Sequence, residues 1–362
     1  MNVMRDLRWM TVGFAAWMSS SCAPSGFQDV ALVNSVRILA SSADEPYAKP
    51  GDTVNLQVLA YDGRTNPSVP MTIYWLPFVC ENPTDDAYYA CFQQIEGGGG
   101  SARADGGARP TADGGAAGGD GGALQPGVDL TAFLPAGPTY QFTMPADAIS
   151  SHPVTPGVPV PYGLAILFNI ACAGHIEIVP FDPSNANPQQ VPIGCFDANH
   201  NQLGPDDWVF GFTRVYAYSS ITNANPVISS VDIQGQSYPV TGDAPSYATT
   251  KTFTTSHCTS KCTTTAIGPI VPASSQEVQS QLGPGNQPKE EIWADFYATF
   301  GSFSDDARLI YDPTTGSLGG ASATDDQFTP PTTATPSKGF IWIVVHDNRG
   351  GASWVTVPLQ VM

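Results

Sequence analysis

The chain has 362 residues, with 32 acidic side chains against 14 basic ones and a net charge of −18. So few cations leave no basic face for a phosphate backbone or an anionic lipid surface, which argues against nucleic acid as a partner. Its 36 Gly and 33 Pro outnumber the charged residues, and Thr, Val, Ile, Tyr and Trp are plentiful; such chains make short strands and many turns rather than long helices.

Arg5 and Arg8 precede an apolar run from Trp9 to Met18, and Ser19, Ser20, Ser21 and Cys22 follow it. Charge, a short apolar segment and small residues in that order are the plan of a secretory signal. The run is about half the length a membrane-spanning helix needs, so it reads as a cleaved segment. A cysteine directly after small residues resembles the lipobox of bacterial lipoproteins, in which the thiol takes a diacylglyceryl group and becomes the new N-terminus. That resemblance implies an acyl anchor at Cys22, with each buried methylene adding about 0.8 kcal/mol of membrane affinity. Two residues depart from the pattern: Ser19 stands where Leu is usual, and Asp6 lies in the n-region. The alternative is an ordinary secreted protein in which Cys22 is one more disulfide thiol. Ala23 after the cysteine, rather than Asp, points to the outer membrane under the enterobacterial sorting rule.

Residues 23–33 read as a short tether. Asn34–Ala43 and Asp52–Tyr61 then alternate apolar and polar residues around a Lys49-Pro-Gly-Asp52 turn, which predicts strand, turn, strand with a half-buried face. Met71–Trp75 predicts a third strand whose Trp fills the middle of a sandwich core. From Gly97 to Gly122 the composition collapses into Gly, Ala, Asp and Ser. Such a run cannot bury enough apolar area to offset its ordering entropy, so 97–125 is expected to be a disordered loop inserted in the first domain. Its Gly-Asp content suggests calcium-binding β-roll arrays, but the fixed period and the alternating bulky residue are missing.

Thr139–Met144 resumes the strands. The apolar stretch Tyr162–Cys172 predicts a buried strand or strand pair, and Trp208–Tyr218 alternates again. Asn223-Ala-Asn-Pro226 marks a domain boundary, because Asn and Pro end strand pairing. Val227–Ile233 opens a second domain that later shows Glu290–Ala298, Gly339–His346 and Ser353–Val361. The last two flank Asp347-Asn-Arg-Gly-Gly351, where Asn and Gly are expected to supply the positive φ of a hairpin turn. The organisation is therefore a signal peptide (1–22), a tether (23–33), domain one (34–222) and domain two (223–362).

Seven cysteines become six once Cys22 is taken by lipid, an even number that suits an oxidising compartment. Proximity in sequence suggests Cys80 with Cys91, Cys172 with Cys195, and Cys258 with Cys262. Each closes a local loop, which in the chain-entropy model stabilises by roughly 2–3 kcal/mol.

Val36-Arg-Ile-Leu39, Pro50-Gly-Asp-Thr-Val54 and the strand with Trp75 resemble the opening of immunoglobulin-like domains in bacterial surface lipoproteins. The closing Val344-Val-His-Asp-Asn-Arg-Gly-Gly351 and the final strand resemble the end of PKD-like and cadherin-like modules. Tyr162-Gly-Leu-Ala165, Cys172-Ala-Gly174, Pro192-Ile-Gly-Cys195 and Asn223-Ala-Asn-Pro226 are similar to segments of uncharacterised lipoproteins from gliding predatory bacteria. The resemblance implies fold and location, with no assigned activity.

Candidate chemistry is sparse. Gly235-Gln-Ser-Tyr-Pro239 lacks the second glycine of a nucleophile elbow, and the histidines at 152, 175, 200, 257 and 346 have no Ser or Cys partner at a recognised spacing. They read as loop or strand-end residues. Asp197, Asn199 and Asn201 offer oxygens at alternate positions, like the first half of an EF-hand loop. However, Gln202 stands where that loop needs glycine, and Trp208 where it needs glutamate. Asp206 and Asp207, one of four aspartate pairs with 85/86, 305/306 and 325/326, are the weak calcium candidates nearest the domain junction. His257, Cys258 and Cys262 suit a soft metal in type, but a fourth ligand is missing and a small-loop disulfide is the better reading. Two small sandwiches seldom frame a deep cleft, so an enzyme is not expected.

The sequence thus predicts an all-β protein of two tandem immunoglobulin-like β-sandwiches, lipid-anchored at the cell envelope, with a structural or binding role toward an envelope protein or extracellular ligand and no cofactor. Its rivals are a calcium-dependent adhesion module and a secreted hydrolase on a sandwich scaffold.

Overall fold

The period-two segments become strands, and the protein is all-β. The structure, a computed structural model, describes residues 30–92, 127–154, 156–179, 191–278, 289–317, 324–332 and 337–362. Residues 1–22, expected from sequence to be a signal peptide ending at Cys22, most of 23–33, expected to be a tether, and the Gly-rich segment 97–125 lie outside the described residues. Helix among the described residues is limited to short turns such as Ala148–Ser151.

The first half contributes β1 (Val36–Ala43), β2 (Tyr47–Ala48), β3 (Thr53–Asp62), β4 (Thr72–Trp75), β5 (Cys80–Glu81), β6 (Thr139–Thr143), β7 (Gly163–Cys172), β8 (His175–Ile178), β9 (Ile193–Phe196) and β10 (Trp208–Ala217). A sheet of order β1-β3-β6 faces a second of order β2-β10-β7-β4, with β5 also paired to β7. Val36, Val54, Leu56 and Val58 from one sheet meet Trp75, Leu167, Ala171 and Val215 from the other. The expected core tryptophan, Trp75, is fully buried, stacks on Tyr140 and donates its Nε1–H to the Gly137 carbonyl at 3.0 Å. The indole thus fills apolar space without leaving its polar atom unpaired.

Tyr162–Cys172 resolves into one ten-residue strand buried along its whole length. The reason is that β7 is covered on both faces. Ala165, Leu167 and Ala171 point into the sandwich, while Leu164, Ile166, Phe168 and Ile170 point outward into a second cluster with Phe92, Ile176, Ile193 and the Cys80–Cys91 and Cys172–Cys195 disulfides. A strand buried on both faces has no polar alternation to show. The β8–β9 hairpin lies in that outer cluster, which is how the candidate site is held.

The second half contributes β11 (Ser230–Ile233), β12 (Gln236–Asp243), β13 (Ser246–Thr249), β14 (Phe253–Thr255), β15 (Thr265–Ile270), β16 (Ile292–Ala298), β17 (Ser302–Phe303), β18 (Ala307–Asp312), β19 (Gly316–Ser317), β20 (Asp326–Thr329), β21 (Ser337–Asp347) and β22 (Ala352–Val361). They form one continuous ladder, β17-β20-β15-β11-β12-β13-β22-β21-β16-β18-β19, with β14 on β22. Strand β12 folds that ladder into two layers: Gln236–Pro239 pairs with β11, and Val240–Asp243 pairs with β13. Between the layers, Val231, Ile267 and Phe328 pack against Phe296, Ile343 and Val355. The terminal hairpin forms as expected, β21 pairing with β22 from Ser337 to His346. Its turn differs in one detail, since Gly350 takes the positive φ (97°) and Asn348 does not. Asp347 completes the turn by accepting from the Arg349 and Gly351 N–H groups through Oδ1.

A β-bulge in β1 joins the two halves. The register of β1 on β3 shifts between Ile38 and Ala40, and one extra residue inverts which side chains face which way. Val36 before the bulge and Ala43 after it both serve the first core, whereas Leu39 and Ala40 turn outward onto Trp342, Val344 and Trp354 of the terminal hairpin. Leu59, Tyr61, Tyr297 and Phe340 border this apolar seam. At about 1.5–3 kcal/mol for each large apolar side chain removed from water, the seam contributes substantially to the folded unit.

The Asn223-Ala-Asn-Pro226 segment is more than a break in pairing, because both asparagines are buried. Asn225 Nδ2 donates to the Ala43 carbonyl at 2.7 Å, and its Oδ1 accepts from Ala352 N at 2.9 Å. Ser42 Oγ donates to the Ala352 carbonyl at 2.7 Å, and Asn223 Nδ2 donates to Asp347 Oδ2 at 3.1 Å. The connector thereby ties the end of β1 to the turn between β21 and β22.

A candidate histidine and glutamate metal site

His175 and Glu177 are two residues apart on β8, so their side chains emerge on the same face. Cys172–Cys195 fastens the end of β7 to β9, and Leu203 N–H donates to the Cys195 carbonyl at 2.8 Å. From the other side the segment 127–131 braces β8. Leu130 N–H donates to the Ile176 carbonyl at 2.8 Å, and Ile176 N–H donates to Thr131 Oγ1 at 2.9 Å.

The turn after β9 brings the third residue. Asp197 Oδ1 accepts from the Asn199 and Asn201 backbone N–H groups at 2.8 and 2.9 Å. His200 closes the turn in the left-handed region (φ 62°), where Asn, Asp and His are the enriched residues besides glycine. That turn carries the His200 ring back over β8. His175 Nε2 and His200 Nδ1 each lie 2.5 Å from the same oxygen, Glu177 Oε1. The three atoms fall within 4.8 Å of one another. Glu177 is buried, His175 half-buried and His200 exposed, so the group opens to solvent on the His200 side.

A buried carboxylate needs a compensating partner, and the two imidazoles are the ionic partners of Glu177 among the described residues. Burial raises the cost of ionising Glu177, yet the hydrogen bonds from His200 and His175 outweigh it and hold the carboxyl below its usual range. Asp129 is likewise held low: burial opposes its ionisation, and the Thr131 hydrogen bonds with the two nearby imidazoles overcome it. Asp197 is lowered by the Asn201 side chain and by turn N–H groups.

The residues picked from sequence fare unevenly. Asp197 and Asn201 are engaged in their own turn, where Asn201 Nδ2 donates to Asp197 Oδ2 at 3.0 Å, and the Asp197 carboxylate is occupied by amide protons. Asp207 lies 2.8 Å from the Arg64 guanidinium, which also holds Asp62. A guanidinium therefore supplies positive charge at the pair 206/207. Arg308 does the same between Asp305 and the buried Asp326. Cys258 and Cys262 form a disulfide, which removes both thiolates as metal ligands, and His257 Nδ1 sits 3.0 Å from the Met362 carbonyl. Ser237 pairs within the β11–β12 hairpin opposite Asp232.

The cluster of His175, Glu177 and His200 is the arrangement that the reading of isolated histidines missed. Its sequence signal was His-x-Glu on a strand, with a cysteine pair bracketing it and a second histidine five residues beyond Cys195. No family model matches the chain, and no curated protein matches it.

Proposed function

We propose that this protein is an exported, lipid-anchored component of the cell envelope, built from two tandem immunoglobulin-like sandwiches, with a structural or binding role. The observation that carries the reading is the use of cysteine. The six cysteines beyond Cys22 are all consumed in three local disulfides, Cys80–Cys91, Cys172–Cys195 and Cys258–Cys262. Disulfides persist in oxidising compartments, and the seventh cysteine of the sequence, Cys22, stands directly after a signal-like segment.

The fold supports a rigid display role. The apolar seam around Leu39, Trp342 and Trp354, together with the Asn225 hydrogen bonds, couples the two halves and holds them as one body. The test is the intact mass of the mature protein from a bacterium that processes lipoproteins. The expected product begins at Cys22 and carries acyl chains, while Cys22→Ser yields an unacylated chain released from the membrane fraction. A wild-type chain that is unmodified and cut elsewhere overturns the proposal.

A further inference from the structure

We infer that His175 Nε2, Glu177 Oε1 and His200 Nδ1 are the protein ligands of a zinc ion. Two imidazoles and one carboxylate form a donor set of intermediate softness suited to zinc, and three protein ligands leave a fourth tetrahedral position free. The three donor atoms already converge within 4.8 Å. Donors about 2.1 Å from a tetrahedral zinc lie about 3.4 Å apart, so each imidazole withdraws from Glu177 Oε1 by about 0.9 Å while the two ring nitrogens, within 4.8 Å of each other, come to about 3.4 Å.

The surroundings favour that adjustment. Glu177 and His175 sit on a strand pinned by the Cys172–Cys195 disulfide and by residues 127–131, so two ligands are fixed in advance. His200 lies on an exposed turn and supplies the movement. Without metal, the partners of the buried Glu177 carboxylate among the described residues are two rings that crowd one oxygen. A dication removes that crowding and compensates the buried charge directly. Asp129, whose backbone bridges to Glu177, and Asp197, at the base of the His200 turn, add negative charge nearby and further favour a cation. The fourth position faces solvent on the His200 side, where water or a donor from a partner molecule completes the shell.

The test uses the full, disulfide-bonded chain without a histidine tag, dialysed against zinc chloride and assayed by elemental analysis, with cobalt absorption as a second probe. One equivalent of zinc is expected, with tetrahedral d–d bands on cobalt substitution. His200→Ala, in an exposed turn, keeps the fold by circular dichroism. It weakens zinc at least about tenfold, the loss that even outer-shell changes cause at metal sites. His175→Ala does the same, and His346→Ala, on the terminal hairpin, leaves binding unchanged. Failure of the wild type to retain stoichiometric zinc overturns the inference, and so does a folded His200→Ala variant that binds as the wild type does.

Discussion

Removing the Cys172–Cys195 disulfide is expected to cost more than removing either of the others, and the size of the difference follows from loop length. The bridges close sequence separations of 23, 11 and 4 residues. The chain-entropy relation then gives about 3.4, 2.8 and 1.9 kcal/mol at 25 °C. Burial widens the gap, because Cys172 and Cys195 are fully enclosed in the outer cluster of β7, and truncation there leaves space that the packing refills only in part. The perturbation is the paired substitution Cys172→Ala with Cys195→Ala, compared with Cys258→Ala with Cys262→Ala. Equilibrium urea denaturation is read by tryptophan fluorescence, since Trp208 faces Cys172 across the β7–β10 ladder. The first variant should be less stable than the second by about 1.5 kcal/mol or more. Equal losses, or a greater loss for Cys258 and Cys262, would refute the assignment of Cys172–Cys195 as the main clamp.

Two further outcomes follow from buried polar groups. Burial pushes the Glu290 carboxyl up to about 7, against the N–H of Glu277 and the Arg349 guanidinium, which stands 3.1 Å away. The folded state therefore holds a proton that the unfolded chain releases near pH 4.3, so this group's contribution to stability is intact below pH 4.3 and is lost, by roughly 4 kcal/mol, as pH rises through 7. In Glu290→Gln that fall should disappear from the pH profile of the unfolding free energy, and an unchanged slope would contradict the assignment. Asn169 is fully buried on β7, and neither its Oδ1 nor its Nδ2 has a hydrogen-bond partner among the described residues. Asn169→Val should raise stability by about 1 kcal/mol, because unmet buried polar groups cost about 1–3 kcal/mol. A lower urea midpoint in that variant would show that the amide is satisfied in solution.

Much of the architecture was legible because it is written locally. Alternation in Asp52–Tyr61 became β3, whose Val54, Leu56 and Val58 face the core. The unbroken apolar run 162–172 became the doubly covered β7, and the short cysteine spacings became the three disulfides. The turn at 347–351 was recognisable from its Gly and Asn, although the Asp347 carboxylate does part of the work assigned to Asn348. The candidate site was only half legible. His175 and Glu177 share a strand face by spacing alone, but His200 reaches them through a disulfide, a left-handed turn and the folding of β8–β9 against β7, none of which periodicity records.

What the sequence determined by itself was therefore what depends on neighbours in the chain: strand content, turn positions and the cysteine pairs. What only the tertiary structure decided was which faces meet. The bulge at Leu39 sends β1 side chains to both halves, and Asn225 serves as a buried tie rather than a mere strand breaker. Glu177 becomes the meeting point of two histidines 25 residues apart. The physical reason is range: hydrogen-bond periodicity and turn strain act over a few residues, whereas register, layer packing and convergent side chains exist only once distant strands have closed on one another.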